Sequence, residues 1–421
     1  MIPLLVVIAG LILLGLLLFV FNGLWIYTVW DRAKSNGRDS LPREYEIPRY
    51  YVRNLDGTLD YGAKWPGWDG WYFFAIPEAR DIPLRMVRAS LMTGLYGLEG
   101  IDNYERLRLK LSSLEAAEAL SMIPTAVRAS AGIEKRNNLS QHYLAKASDL
   151  SMSADALDIT MSGEDVSNDT GLLQYGRMAG SWPDYHLQNY NPEANISVDL
   201  RFHGENLIWW ADVPGVFTYA TCLGRFEGTI TYHDGTQKPD PHDLPDLPEN
   251  SETYPIRGAG GFEHGFARRL FSANRLFLPV RLLKYAIPSF RTIRYQYEVM
   301  IGDSGPRGGF MQASAFGVKV RNRGGLYLDG RYVPIDAIRI RYLNDPPPDE
   351  VAAHCPASPT TYYRKWVVEA DTPEGLLTYT GSREWPPAPV APSMTYYNFS
   401  YEGTYKGAAI RGRGYGEYVD I

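Results

Sequence analysis

Apolar and polar positions alternate with a period of two through most of the chain. Over 293–301 the apolar or aromatic set is Ile293, Tyr295, Tyr297, Val299 and Ile301, with Arg294, Gln296 and Glu298 between them. Successive side chains leave a strand on opposite sides, so this pattern predicts a strand with one face buried. Val198, Leu200 and Phe202 alternate in the same way with Asp199, Arg201 and His203, and Tyr397, Phe399 and Tyr401 repeat the pattern near the C-terminus. Asp-Gly pairs at 56–57, 234–235 and 329–330 punctuate these runs. Such pairs tolerate the positive φ of tight hairpins. Residues 229–233 read as a hairpin arm, and 326–333, centred on Asp329-Gly330, as a whole hairpin.

Four stretches depart from the alternation. Residues 2–21 are almost purely aliphatic, and no charged side chain occurs before Asp31. That run is long enough for a transmembrane helix, which needs about 20 apolar residues. Trp25, Tyr27 and Trp30 follow where an interfacial aromatic belt would sit. No basic residue precedes the run and no A-x-A cleavage site follows it, which favours an anchor over a secretory signal. In 80–135, Ser112 with Glu115 resembles a capping box, and Leu114, Ala117 and Leu120 lie at helical spacing before Pro124; this predicts a partly helical excursion. Residues 237–255, rich in Pro, Asp and Glu, read as a linker, and 345–358 as a long loop. The expected organisation is an anchor over 1–30, a juxtamembrane linker over 31–60, a first β-domain over 61–245 and a second over 246–421. Many strands with little helix point to sandwich or barrel architecture.

Charge refines the placement. Arg32, Lys34, Arg38 and Arg43 follow the apolar run, so a single-pass protein with its body on the cytoplasmic side is expected. The formal net charge of −6 argues against nucleic acid as a partner, since phosphate binding needs clustered Lys and Arg. The two cysteines, Cys222 and Cys355, give neither zinc spacing nor a disulfide framework; they read as buried thiols, with a single bridge between them as the alternative. Sequons stand at Asn138, Asn168, Asn195 and Asn398 and matter only if the body faces a glycosylating lumen.

Several short motifs carry little chemistry. Gly302-Asp303-Ser304-Gly305-Pro306 and Ala352-Ala353-His354-Cys355 are similar to the nucleophile and histidine segments of chymotrypsin-like proteases, but in reversed order. The glycine-rich 258–261 lacks the helix start that phosphate cradling needs. The seven histidines are dispersed and predict no metal site. Three places are richer. Glu263 beside His264, flanked by Gly261 and Gly265, is an acid/base pair only if a bulge brings both to one face, since neighbours on a regular strand point apart. The aromatic stretches 65–74 and 209–212 suit an apolar ligand, and Asp69 and Asp212 are the carboxylates within them.

Trp68-Asp69-Gly70-Trp71-Tyr72-Phe73 resembles the opening strand of the lipocalin-like group that contains carotenoid 1,2-hydratases, tocopherol cyclases and fungal Diels–Alderase-type cyclases. Gly403, Lys406-Gly407 and Arg413-Gly414-Tyr415-Gly416-Glu417 resemble its closing strand. Phe262-Glu263-His264-Gly265 sits about where the hydratases carry a His/Asp-containing strand. The resemblance implies two lipocalin-like antiparallel β-barrel or sandwich domains and cofactor-free chemistry on isoprenoids, polyenes or lipids. The anchor, the 80–135 excursion and the glutamate–histidine pair depart from the group's pattern.

The expected protein therefore binds an apolar small molecule taken from the bilayer, in which residues 2–22 are embedded, and uses no cofactor or metal. If it is an enzyme, it is a hydratase (lyase) or a cyclase/isomerase in which a buried carboxylic acid protonates an alkene or epoxide. Glu263 leads as the acid, with Asp69 and Asp212 next and His264 as positioner or relay. Tyr72, Tyr219 and Tyr415 would hydrogen-bond the ligand, and Trp71 and Trp209 would face cationic character. The rivals are a carrier of the same fold and a scaffold with filled barrels.

Overall fold

The structure, a computed structural model, describes residues 67–79, 86–94, 125–130, 139–142, 150–153, 156–164, 173–191, 196–213, 217–233, 252–268, 293–315, 318–343, 365–391 and 394–420, with short pieces at 10, 36–38, 52–53 and 59–60. These residues form a mainly β structure dominated by two antiparallel sheets, one of twelve strands and one of nine.

The nine-stranded sheet runs in the order Arg331–Ile335, Val318–Leu328, Arg307–Ala315, Ile293–Ser304, Ala408–Asp420, Met394–Tyr405, Gly375–Ala391, Lys365–Thr372, Ala337–Tyr342. Its first strand in sequence pairs with its last, and the others pair with their sequence neighbours. The two edges of the sheet, Arg331–Ile335 and Ala337–Tyr342, are separated in the chain by Asp336 alone. The sheet must therefore roll until its edges meet, giving a nearly closed barrel. Gln312 Nε2, on the third strand from one edge, donates to the carbonyl of Ile338 on the opposite edge strand at 3.0 Å.

The twelve-stranded sheet is wired alike. Gly67–Pro77 pairs with Glu252–Arg268, and Phe217–Tyr232, Ile196–Val213, Asp184–Asn191, Leu173–Ser181, Leu157–Glu164 and Leu150–Met152 follow in turn. On the other side of Gly67–Pro77 lie Met86–Gly94, Thr125–Ser130 and Leu139–His142, while Asn36–Arg38 adds to Ile196–Val213. Two expectations change here. Glu252–Arg268, expected in the second half, is a central strand of the first sheet, so the sheets divide between Arg268 and Ile293 rather than at 245. Within 80–135, residues 86–94 and 125–130 are strands; the capping-box segment lies outside the described residues. The expected anchor also lies outside them, Gly10 apart. Among the described residues, no helix is long and apolar enough to cross a membrane.

Of the three Asp-Gly pairs, Asp329-Gly330 alone lies within the described residues, and it forms the expected turn. Asp329 and Gly330 both have positive φ (51° and 74°) and close the hairpin between Val318–Leu328 and Arg331–Ile335. Lys406 (54°) and Gly407 (81°) close the last hairpin. The protease-like Gly302–Pro306 segment is the turn between two paired strands. Asn398 is buried within a strand, so this sequon is closed to a glycosyl transferase.

The closing strand shows why its glycines alternate. A β-carbon on Gly414 or Gly416 would run into the rings of Phe399 and Tyr397 respectively, and one on Gly412 into the Tyr401 hydroxyl, all from the neighbouring strand. The glycines make room for an aromatic ladder inside the barrel, joined there by Trp366, Tyr379 and Tyr418. Between them, Arg413, Tyr415 and Glu417 project to the opposite face, toward the first sheet. Gly261 likewise leaves space for the ring of Phe74, which gives the glycine-rich 258–261 a packing role.

The two sheets meet through one apolar cluster. Phe74, Ile76, Ile208, Trp210 and Leu223 from the first pack on Tyr297, Val299, Ile301, Tyr327 and Tyr415 from the second. Burying each such side chain contributes about 1.5–3 kcal/mol. Hydrogen bonds cross the junction: Tyr327 hydroxyl to the Leu207 carbonyl at 2.6 Å, Arg413 to the Pro77 carbonyl at 3.0 Å, and Arg307 to Glu205 at 2.7 Å.

Candidate functional site

Strand register sorts the sequence-predicted residues onto two faces of the first sheet. Directly paired residues share a face. Ile208, Thr221, Glu263 and Tyr72 form one row across four strands, on the face turned to the second sheet. Trp209, Ala220, His264 and Trp71 form the next row, on the inner face. Glu263 and His264 therefore do not work as a pair, and no bulge interrupts the register there to bring them together. Nor can Trp71 flank a cation formed at Glu263, because the sheet stands between them. The register places positions 69 and 212 in the inner-face row beyond His264, with Thr218 and Phe266. The side chains of Asp69, Asp212 and Trp209 lie outside the described residues.

Glu263 is 1% exposed and sits where the sheets join. The Tyr219 hydroxyl donates to Oε2 at 2.7 Å, and the Tyr297 hydroxyl, from the second sheet, donates to Oε1. Thr221 Oγ1 lies 2.9 Å from the Tyr297 hydroxyl and 3.4 Å from Glu263 Oε1. Trp210 Nε1, which can only donate, gives its proton to Thr221 Oγ1 at 2.7 Å. Thr221 has one proton of its own, and the shorter contact favours sending it to Tyr297, leaving the Tyr297 proton for Glu263. The chain Trp210, Thr221, Tyr297, Glu263 is thus polarised in one direction, and such chains strengthen cooperatively. Burial, and then the Glu263 charge, push both Tyr219 and Tyr297 well above the usual phenol range. Both phenols accordingly stay protonated and available as donors.

A second carboxyl belongs to the same junction. Glu417 is buried and accepts the Tyr415 hydroxyl, and its position pairs with Tyr297 across strands. The Tyr415 ring stacks on Phe74 at 4.6 Å and meets Tyr297 edge-on at 6.5 Å; Trp210 meets Tyr297 edge-on at 5.5 Å. Tyr72 and Tyr219 keep part of their surface exposed, which makes them the members of this cluster nearest solvent. Of the expected ligand residues, Tyr72, Tyr219 and Tyr415 come together here. Tyr297, Thr221, Trp210 and Glu417 were not singled out from the sequence, although Tyr415 and Glu417, two apart on one strand, carried a readable signal of shared facing.

A third buried acid lies inside the nine-stranded barrel. Glu298 is 0% exposed. Gln296 and Tyr397 donate to its Oε1, the latter at 2.9 Å, and Tyr379 donates to Oε2. Tyr342 donates in turn to Gln296. Burial raises the Glu298 titration above its ordinary value despite these donors. Arg383 stands over the Tyr397 ring at 4.2 Å. Gln296, Tyr379 and Tyr397, which serve its oxygens, are all buried within the barrel, whereas Tyr219 beside Glu263 keeps part of its surface exposed.

A cleft of about 950 Å³ opens elsewhere on the first sheet, lined among others by Tyr185, Phe202, Phe226, Arg201, Arg257 and Gly258. Gly258 lies five residues along the strand from Glu263, roughly 17 Å at about 3.3 Å each, so this cleft does not serve the Glu263 cluster.

No family model matches the chain, and no curated protein matches it. Among solved structures the chain is similar to kievitone hydratase from Nectria haematococca, with 10% identity and a TM-score of 0.38 over 92% of this chain and 96% of that one. A likeness at that level assigns neither site nor activity.

Proposed function

We propose that the chain binds an apolar, unsaturated small molecule of the isoprenoid or polyene class at the junction of its two sheets, and that Glu263 exchanges a proton with it. The observation that carries this reading is a buried carboxyl held between hydroxyl donors from both sheets and walled by aromatic rings. The apolar run at 2–22 supports it, since an anchor there would hold the body beside the phase in which such ligands dissolve.

In the reaction, the alkene π pair takes the Glu263 carboxyl proton. A C–H bond forms, the acid O–H bond breaks, and the neighbouring carbon becomes cationic. Tyr219 and Tyr297 hold the resulting carboxylate by charge-assisted hydrogen bonds, and the faces of Trp210 and Tyr415 suit the cation. Water then adds through oxygen and returns a proton to Glu263, completing hydration. Attack by a second alkene of the same molecule, followed by proton loss to Glu263, gives cyclisation instead. Neither route draws on a cofactor.

The test is mass spectrometry of organic extracts from the gently purified full chain and from its Glu263→Gln variant. The wild type is expected to carry or release product, either heavier by one water or isomeric with the substrate, and the variant to retain substrate. One unchanged ligand in both extracts would identify a carrier; no ligand in either would identify a scaffold.

A further inference from the structure

We infer that the end of the first sheet at positions Val213, Phe217, Ala267 and Trp68 is the surface this chain sets against a phospholipid bilayer, and that Asn36–Arg38 is the strap that fixes that orientation. This orientation rests on the anchor reading of residues 2–22 given above and adds which end of the body meets lipid.

The register of the strap gives its direction. Asn36 pairs with Trp209, Gly37 with Ile208 and Arg38 with Leu207, antiparallel. The chain before Asn36 therefore leaves toward Val213, where strand Ile196–Val213 ends. Pairing carries that end across the sheet, with Val213 opposite Phe217, Phe217 opposite Ala267, and Ala267 opposite Trp68. The other end of the sheet is the row Asn191, Ile196, Tyr232 and Glu252.

Chain length decides between the two ends. Trp30 stands where the interfacial aromatic belt is expected, and only residues 31–35 separate it from Asn36. That backbone reaches about 20 Å at full stretch. From position 209 the strand runs on to Val213, roughly 13 Å at about 3.3 Å per residue, and back to Ile196, roughly 43 Å. The bilayer surface is thus within reach of the first end and out of reach of the second.

The strap is also held at its middle. A β-carbon on Gly37 would lie 2.6 Å from Cβ and Cγ of Tyr332 and 2.7 Å from the Tyr327 hydroxyl. Only glycine lets the backbone come this close to both rings. Tyr327 and Tyr332 belong to the second sheet and meet edge-on at 5.5 Å. The Tyr327 hydroxyl donates to the carbonyl of Leu207, the residue opposite Arg38. The strap thus touches both sheets, and the body turns with it rather than swinging on a free tether. Away from the first end, Arg201, His203, Arg225, Glu227 and Arg257 are all exposed. Charged side chains are costly to take out of water, so this part of the sheet suits the side that faces solvent.

The test uses the full chain with Cys355→Ser, in which Cys222, 1% exposed, escapes labelling. A fluorophore is attached through Arg268→Cys, beside the first end, or through Glu252→Cys, at the other; about 50 Å of strand separates them. Each protein is reconstituted in phosphatidylcholine vesicles with and without nitroxide-headgroup phosphatidylcholine. The nitroxide should quench the label at 268 several-fold more than the label at 252. Gly37→Val should leave the chain on the vesicles and reduce that difference by half or more. Equal quenching, or stronger quenching at 252, in a chain that sediments with the vesicles would overturn the orientation alone. An unchanged difference in Gly37→Val would overturn the role of the strap. A chain that fails to sediment with the vesicles would overturn the anchor reading and this orientation together, and would leave proton transfer at Glu263 untouched.

Discussion

Replacing Glu298 by Gln should remove a pH dependence of stability that the wild-type barrel carries. Glu298 is fully buried, and burial is the largest influence on it, lifting its titration above the ordinary 4.5. Below about pH 4.5 the folded and unfolded chains both hold this proton. As the pH rises beyond that, the unfolded chain loses it while the folded chain keeps it. Folding then takes up one proton, and stability falls with pH by at most about 1.4 kcal/mol per unit. The decline ends at the raised native titration, above which both states are ionised and the whole loss has been incurred. Gln at 298 does not titrate. Its NH₂ meets a hydroxyl donor where the carboxyl offered an acceptor, which costs about 1–3 kcal/mol at every pH. The variant should thus be the less stable form in acid and should gain on the wild type as pH rises. Urea unfolding followed by tryptophan fluorescence, from about pH 4 to about pH 8, measures the difference directly. Parallel stability curves would refute the reasoning and mean that Glu298 titrates alike in both states.

Three further outcomes follow from particular contacts. Gly414→Ala would put a methyl inside contact distance of the Phe399 ring and the Val299 carbonyl, and should cost about 1–3 kcal/mol by overpacking, seen as a lower urea midpoint with unchanged slope. Tyr297→Phe removes the donor that the second sheet gives to Glu263 and the hydroxyl beside Thr221; a loss of about 1–3 kcal/mol in stability and a fall in product in the extract are expected together. Arg307→Ala should cost little, about 0.2–1 kcal/mol with an effect that fades in salt, because Glu205 keeps Arg225 at 2.8 Å and the pair is partly exposed; unfolding at low and high salt checks it.

The strands were readable wherever one face met core and the other met solvent. Val198, Leu200 and Phe202 are buried while Arg201 and His203 are exposed, as their alternation implied. The Asp329-Gly330 hairpin was readable from two residues, because positive φ at both is rarely taken by other pairs. Over 293–301 the same logic failed in an instructive way. Gln296 and Glu298 looked like a solvent face but are buried; one side of that strand packs on the other sheet, and its polar side lines a barrel where tyrosines satisfy it. Alternation reports a difference between two faces, not where each one points. The pairing of first strand with last was not readable, since it joins residues such as Gly67 and Arg268 far apart in sequence. Glu263 was found by its unusual setting, whereas its partners Thr221 and Tyr297 are ordinary strand residues until register brings them together. The resemblance to lipocalin-like hydratases and cyclases rests on glycine and aromatic landmarks, and at Gly414 and Gly416 the structure gives those glycines a packing cause of their own.

Deuterium uptake tests the central claim most directly. The full chain, carrying its own extracted ligand or an offered isoprenoid alkene, is held in D₂O, and the ligand is recovered and weighed by mass spectrometry. Proton transfer from Glu263 to carbon predicts deuterium on carbon with the wild-type chain and none above background with Glu263→Gln. Equal incorporation by the two proteins, or a ligand that stays fully protiated with the wild type, would contradict it.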